Sequence, residues 1–506
     1  MSRVVVVGAG VGGLAAAARL AADGHEVVVL EQADAVGGKL GTEVVDGFVF
    51  DTGPSLVTMP WVLEELFAAT GAPLADVLEL RRLAVACRYT FPDGTVLDLP
   101  GDLADVPAAL DAALGPGRGA QWTAFLGRAR AVWDVTRGPF LESPISARGM
   151  LRLSRRLGDV ATVAPWRSLR GLGARYLEDP RLRLLLDRYA TYTGSDPRAA
   201  PAALATVPWA EQAWGSWYVP GGLGRIAEVL RARVEELGGE VRTGARVVEV
   251  LVADGRAAGV RLADGTTLDA DVVVANADAA EVYGHLLPGR RAARARRSIA
   301  RATPSLAGFV LLLALDDPPA DQPHHQVLFA EDYDEEFDAV FGRRGPARPV
   351  ERPTVYVSAP DDPAVVPGPE TGAWFVLVNA PRHDPDGSRG AGVDWDAPGL
   401  AEAYADRLLD LMAERGLDVR DRVRHRTVLT PADLERRTST PGGSIYGTSS
   451  NGARAAFLRP ANRSPVPGLY LVGGSAHPGG GLPLVMLSAR IVADLVRRDD
   501  ASGQPR

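Results

Sequence analysis

The opening 31 residues restrict this chain more than any other stretch. Val4-Val-Val-Val7 is a short β-branched run, Gly8-Ala-Gly-Val-Gly-Gly13 follows, and Leu14 to Ala22 is rich in alanine. Strand, tight turn and helix are predicted in that order. A second apolar run, Glu26-Val-Val-Val-Leu30, ends at Glu31. The pattern suits a dinucleotide: Gly8 allows the turn, Gly10 lets the backbone approach a pyrophosphate, and Gly13 lets the helix pack on the strand. Glu31 stands where an acid accepts a hydrogen bond from the adenosine ribose. The helix N-terminus, with Ala9, Gly12 and Leu14 around it, then faces the phosphates. A glycine-rich turn that binds nothing is the alternative.

The rest of the chain narrows the class. A hydrophobic fraction of 46% over 506 residues is ample for packed cores. A net charge of -8 argues against nucleic acid as a partner, because phosphate binding needs a basic face. The single cysteine, Cys87, excludes a disulfide framework and a cysteine-rich metal site; it reads as a core residue in a reducing cytoplasm, and no metal is expected. No secretion signal is visible in the opening residues and none is expected, and the longest apolar run, Phe309 to Leu315, falls far short of the roughly 20 residues that span a bilayer. Any membrane contact is expected to be peripheral. Residues 60–235 and 290–460 lack a second strand-glycine-helix unit, so no separate NAD(P)H site is indicated.

Residues 32–58 read QADAVGGKLGTEVVDGFVFDTGPSLVT, placing Gly37-Gly38-Lys39 just after the acid and a hairpin-like stretch before Asp51-Thr-Gly-Pro54. This resembles the N-terminal signature of the flavin-containing amine oxidase and phytoene desaturase superfamily. The resemblance implies non-covalent FAD, with Gly38, Lys39, Ser55 and Leu56 along its diphosphate and ribityl chain. Family members commonly carry arginine after the glycine pair. Lys39 can neutralise phosphate as a point charge without bidentate geometry, and a solvated loop lysine is its other reading. Residues 238–283 alternate β-branched runs with Asp-Gly turns, which predicts hairpins and then a buried strand. In that superfamily the equivalent stretch returns to the FAD domain, which implies an adenine contact for Val247 and a cofactor-side position for Asn276; a strand that binds nothing remains the alternative.

Near the other end, Leu469 to Val472 reads as a buried strand and is followed by Gly473-Gly474, then His477-Pro-Gly-Gly-Gly-Leu-Pro483. A helix is predicted from Pro483 to Arg497, with apolar spacing at Leu484, Leu487, Ile491 and Leu495. In phytoene desaturases a closely similar stretch closes the FAD site beside the isoalloxazine ring. The resemblance therefore implies cofactor contacts for Gly473, Gly474, Gly481, Leu484 and Val485. His477 is either a catalytic proton carrier or a hydrogen-bonded structural histidine. Residues 441–485 look more like the 1-hydroxycarotenoid 3,4-desaturase branch, whose relatives among the phytoene desaturases more often show tryptophan near Phe457.

The resemblance implies an α/β protein: a Rossmann-like FAD-binding domain interleaved with a mixed α+β substrate domain. Expected boundaries are 1–70, 220–288 and 465–498 for the FAD domain, 71–219 and 289–464 for the substrate domain, and a disordered tail at 499–506. It also implies a desaturase that takes hydride from an acyclic carotenoid, by 3,4-desaturation of a 1-hydroxylated carotenoid or by phytoene-type desaturation, and passes electrons to oxygen or a quinone. A carotenoid ketolase or oxygenase, a flavin amine or porphyrinogen oxidase, and a prenyl-protein escort-like binder are the alternatives. The stretch 145–183 interleaves Arg148, Arg152, Arg155, Arg156, Arg167, Arg170 and Arg175 with Met150, Leu151, Leu153, Leu157, Trp166 and Leu169. It reads either as a membrane-surface segment or as a solvated face in a chain with one lysine, Lys39, among 55 basic residues. The expected location is the cytoplasm, with any peripheral contact on the inner face of the cell membrane.

Overall fold

The computed structural model describes every residue except 147, 148, 150–153, 288, 453, 454, 456–458 and 503–506. Five parallel strands form one sheet in the order Leu469–Leu471, Val272–Ala275, Arg3–Val7, Glu26–Leu30, Glu240–Arg242. Segments from the start, middle and end of the chain thus meet in one layer. The apolar runs of the first four suit a parallel sheet covered on both faces, and Glu240–Arg242 is an edge strand with both charged residues exposed. Val4 and Val6 face a core shared with helices Val11–Ala22, Arg225–Glu236 and Leu482–Ser502. Val5 and Val7 face a second core, built on the antiparallel strands Val247–Ala253, Arg256–Leu262 and Thr267–Asp269. Ala15 to Ala18 are wholly buried, and their small side chains let the first helix lie close to its neighbours.

A mixed seven-stranded sheet runs in the order Val423–Leu429, Ala307–Asp316, Thr371–Ala380, Val355–Ser358, His325–Leu328, Val85–Thr90, Val96–Pro100. The apolar run 309–315 lies inside it. Phe309, Leu311, Leu313 and Leu315 pack towards helix Leu400–Glu414, whereas Val310 and Leu312 face the other way. Helices Arg118–Thr136 and Pro180–Arg188 enclose a further core around Trp122, Phe125 and Leu185.

Two expectations need correction. The last helix continues to Ser502 rather than giving way to a disordered tail at Asp499. Asp499 accepts hydrogen bonds from Arg463 and from the Tyr470 hydroxyl, which holds the helix end to the sheet. The arginine-rich stretch is also not one amphipathic surface: Leu169, Leu172, Leu177 and Leu182 are buried, and Arg170 is bound to Asp187 and Asp334. Its exposed apolar side chains among the described residues are Leu157, 77% exposed, and Trp166, 65% exposed. Arg148, Met150, Leu151, Arg152 and Leu153 lie outside the described residues, as does Phe457. No helix among the described residues is long and apolar enough to cross a membrane.

Candidate functional site

A cavity of about 700 Å³ begins at the carboxyl ends of the parallel strands, at Val7, Leu30 and Asn276, and reaches Val310, Phe375 and Leu377 of the seven-stranded sheet. Open α/β sheets bind ligands at that edge. Gly8, Gly10, Gly12 and Glu31 line it. Gly8 has φ +96°, which a side chain would strain. The Asn276 amide fills the space beside the other two. A Cβ on Gly10 would lie 2.7 Å from its Nδ2, and one on Gly12 would lie 2.9 Å from its Oδ1. Asn276 Nδ2 also donates to the Gly8 carbonyl at 3.4 Å. The absent side chains therefore serve the packing of Asn276 as well as access to the backbone.

Ala9, Gly13 and Leu14 do not line the cavity wall. The Ala9 N–H donates to Glu31 Oε2 at 2.7 Å, a Cβ on Gly13 would lie 2.1 Å from the Gly8 oxygen, and Leu14 is buried in the core. Glu31 Oε1 accepts from the Ala33 N–H at 3.0 Å, so each carboxylate oxygen keeps lone-pair capacity for a ribose hydroxyl.

Gly38, Lys39, Ser55, Leu56 and Val247 also line the cavity. Lys39 is more constrained than a phosphate-binding point charge would be. Its Nζ donates to the Ser444 and Ile445 carbonyls at 2.9 and 2.7 Å. Burial pushes its ammonium down to about 8, while the Asp278 carboxylate raises it. Two of its three protons are thus committed to tying the glycine pair to the 444–445 loop. Ser55 Oγ shares a hydrogen bond with the Tyr356 hydroxyl at 2.6 Å.

The opposite wall comes from the chain end. Gly473, Gly474, Gly481, Leu484 and Val485 line the cavity. A Cβ on Gly480 would lie 2.5 Å from Tyr446 Cδ1, so that glycine lets the loop pack on a tyrosine ring. His477 is 3% exposed, and its Nε2 bonds to the Ser143 carbonyl at 3.0 Å. Burial lowers its pKa, which favours a neutral ring. Its own carbonyl accepts from Asn462 and from the Ser488 hydroxyl. Of the two readings of His477, the geometry favours the hydrogen-bonded structural one.

Arg459 has no counterpart among the sequence-based candidates. Its guanidinium donates to the carbonyls of Gly474, Tyr446 and Thr448 at 2.6, 3.0 and 2.8 Å, and burial pushes it down to about 10. It pins the glycine turn to the 446–448 loop. In an arginine-biased chain nothing local marks it out. Asp278 left a weak signal: it lies two residues beyond Asn276 and caps the next helical turn through the Ala280 N–H.

These residues fit FAD. The helix Val11–Ala22 starts at Gly10 without a side-chain cap, which leaves its first N–H groups for an anion. An acid stands at the neighbouring strand end, and glycine-rich backbone from both chain ends borders one space. A parallel sheet with that donor set defines a dinucleotide-cofactor oxidoreductase. The family model described as "Flavin containing amine oxidoreductase" matches residues 11–497; the chain belongs to that family and is an FAD-dependent oxidoreductase.

Relatives extend over the whole chain. The 4,4'-diapolycopene oxygenase of Methylomonas sp is 36% identical, covering 98% of each chain. The hydroxyneurosporene desaturase of Rubrivivax gelatinosus is also 36% identical, over 100% of this chain and 95% of its own. The 1-hydroxycarotenoid 3,4-desaturase of Flavobacterium sp. (strain P99-3) is 31% identical, over 99% and 100%. An oxidoreductase structure from Methanosarcina mazei superimposes with a TM-score of 0.63 at 18% identity, covering 97% of this chain and 100% of that one, and shares the fold.

Proposed function

We propose that this protein is a carotenoid desaturase that introduces a C=C bond into an acyclic carotenoid, with 3,4-desaturation of a 1-hydroxylated carotenoid as its reaction. The observation that carries this reading is the cavity, which joins the glycine turns to an apolar sheet face within a chain whose full-length relatives include carotenoid desaturases. FAD, when bound, supplies a two-electron acceptor for hydride released from one methylene, and the neighbouring methylene gives up a proton to the medium, so that two hydrogens leave for each C=C bond formed. The protein's own task is to orient the polyene and keep water out. Val310, Phe375, Leu377 and Leu429 form an apolar floor for a long chain. The first turn of helix Leu482–Ser502 presents backbone N–H groups and a positive dipole end beside Gly481, which favours negative charge there. Gly8, Gly10, Gly12, Glu31, Gly38, Lys39, Val247, Gly473 and Gly474 would hold the cofactor. Oxygen or a quinone is the proposed terminal electron acceptor.

The same cavity supports peripheral membrane contact. Val163 and Pro165 line it, and they adjoin exposed Trp166 and the helix that starts at exposed Leu157. A lipid-soluble substrate could enter there without crossing water. The inner face of the cell membrane is the proposed location.

The test is pigment chromatography of cells expressing the chain over phytoene, lycopene and 1-hydroxylated acyclic carotenoid backgrounds. A longer-wavelength product lighter by two hydrogens supports desaturation, and the responsive background names the substrate. Oxygen gain would move the assignment to the oxygenase reading that one relative's name suggests. No change in any background, with FAD bound, would overturn both.

A further inference from the structure

The cavity wall carries a buried charged pair that cofactor binding leaves unexplained. Arg188, 8% exposed, and Glu211, 5% exposed, both line it. Arg188 Nη1 donates to the hydroxyls of Tyr89 and Tyr192, each at 3.2 Å. Glu211 accepts from the hydroxyls of Tyr189 and Tyr192 at 2.7 and 2.6 Å. Among the described residues no protein acceptor meets Arg188 Nε or Nη2, although a guanidinium carries five N–H donors. Each Glu211 oxygen has one hydroxyl partner, so the carboxylate keeps accepting capacity.

Arg188 also lies near the segment that carries Ser55. Arg188 stands 5.8 Å from the ring centre of Tyr356, whose hydroxyl is bonded to Ser55. A buried base and a buried acid thus share one stretch of the cavity wall, joined through the Tyr192 hydroxyl.

We propose that Arg188 and Glu211 form a receptor for a hydroxyl group on the polyene end nearest the reacting bond. The inference rests on the desaturase reading above and assigns the residues that would recognise the hydroxyl of its substrate. A hydroxyl needs one acceptor and one donor, which Glu211 and Arg188 supply at no net charge. A carboxylate would meet Glu211 as a like charge, and a hydrocarbon would leave the open guanidinium donors dry, which is costly in a buried site. A C1 oxygen is three bonds from C3, so an anchor for that oxygen would limit which bonds of the polyene can be presented for reaction. Sites built around a substrate hydroxyl reject analogues lacking it far better than apolar pockets reject a missing methylene.

The test is equilibrium binding to the FAD-loaded protein. A 1-hydroxylated acyclic carotenoid and its hydrocarbon parent are titrated from detergent micelles, with the change in polyene absorption as readout. The unaltered protein is expected to bind the alcohol at least about tenfold more tightly. Glu211→Gln and Arg188→Met should bring that ratio close to one, and Tyr192→Phe should lower it in part. Equal binding of the two polyenes by the unaltered protein, or a ratio that survives in the variants, would overturn the receptor. If Arg188→Met fails to fold or to hold FAD, the near-isosteric Glu211→Gln decides alone. Turnover separates the two readings: selective binding with neither polyene converted removes the desaturase and keeps the receptor, whereas conversion without selective binding does the reverse.

Discussion

Asn276 organises the glycine turn: its amide occupies the space that side chains at Gly10, Gly12 and Gly473 would take. Gly13 answers to a different neighbour, the Gly8 carbonyl oxygen 2.1 Å from its ideal Cβ. Gly13→Ala is therefore expected to yield protein without bound FAD and with a melting temperature lowered by several degrees. Gly127 lies inside helix Arg118–Thr136 with nothing within 4 Å of its ideal Cβ. Gly127→Ala should retain the flavin and raise stability by about 0.5–1 kcal/mol, readable by denaturant titration. Glu336 makes a pH prediction. Burial pushes its carboxyl up to about 6, although Thr354 N–H and Asn379 Nδ2 donate to it. The folded state then holds a proton that the unfolded state has released, so this group's stabilisation is full below the unfolded value of 4.5 and is lost as pH rises through about 6. Melting across that window should show Glu336→Gln lacking this fall, a difference of about 2 kcal/mol; identical pH profiles would refute it.

Among the elements, the C-terminal helix links the core to the cavity. Leu487, Ile491 and Leu495 bury it against the first helix, while Leu484 and Val485 at its start line the wall. Its far end is held by Asp499 bound to Arg463 and Tyr470. Asp499→Ala removes an acceptor from the buried Tyr470 hydroxyl and should cost about 1–3 kcal/mol in denaturant unfolding. If the helix transmits that loosening to its first turn, FAD should also dissociate faster; an unchanged stability would show that Asp499 does not hold the helix. The helix was legible in its apolar spacing, except for its last turn. That turn looked like a tail because the partners of Asp499, Arg463 and Tyr470, are distant in sequence.

At the scale of the molecule, the cavity joins cofactor-binding turns to an apolar sheet face and reaches Val163 and Pro165, whose segment turns an apolar corner, Leu157 and Trp166, to the surface. Replacing both corner residues by serine should weaken sedimentation with anionic vesicles while leaving the FAD spectrum unchanged. Vesicle binding equal to that of the unaltered protein would exclude this corner as the membrane contact.

The sequence by itself determined the parallel sheet and most of the turn chemistry, because strand runs, positive-φ glycines and an acid at a strand end are local requirements. It also located both walls of the site, since Gly8 to Glu31 and Gly473 to Val485 carry patterns that few other folds need. Tertiary structure alone decided the rest. Leu169 and Leu172 became core once helices closed over them, and Lys39 was drawn to the Ser444 and Ile445 carbonyls. Arg459, Arg188 and Glu211 gained their roles through partners that the folded chain brings to them, at separations from 4 residues (Arg188 to Tyr192) to 99 (Arg188 to Tyr89). A buried charge takes its meaning from the groups that surround it, and no spacing along the chain encodes those neighbours.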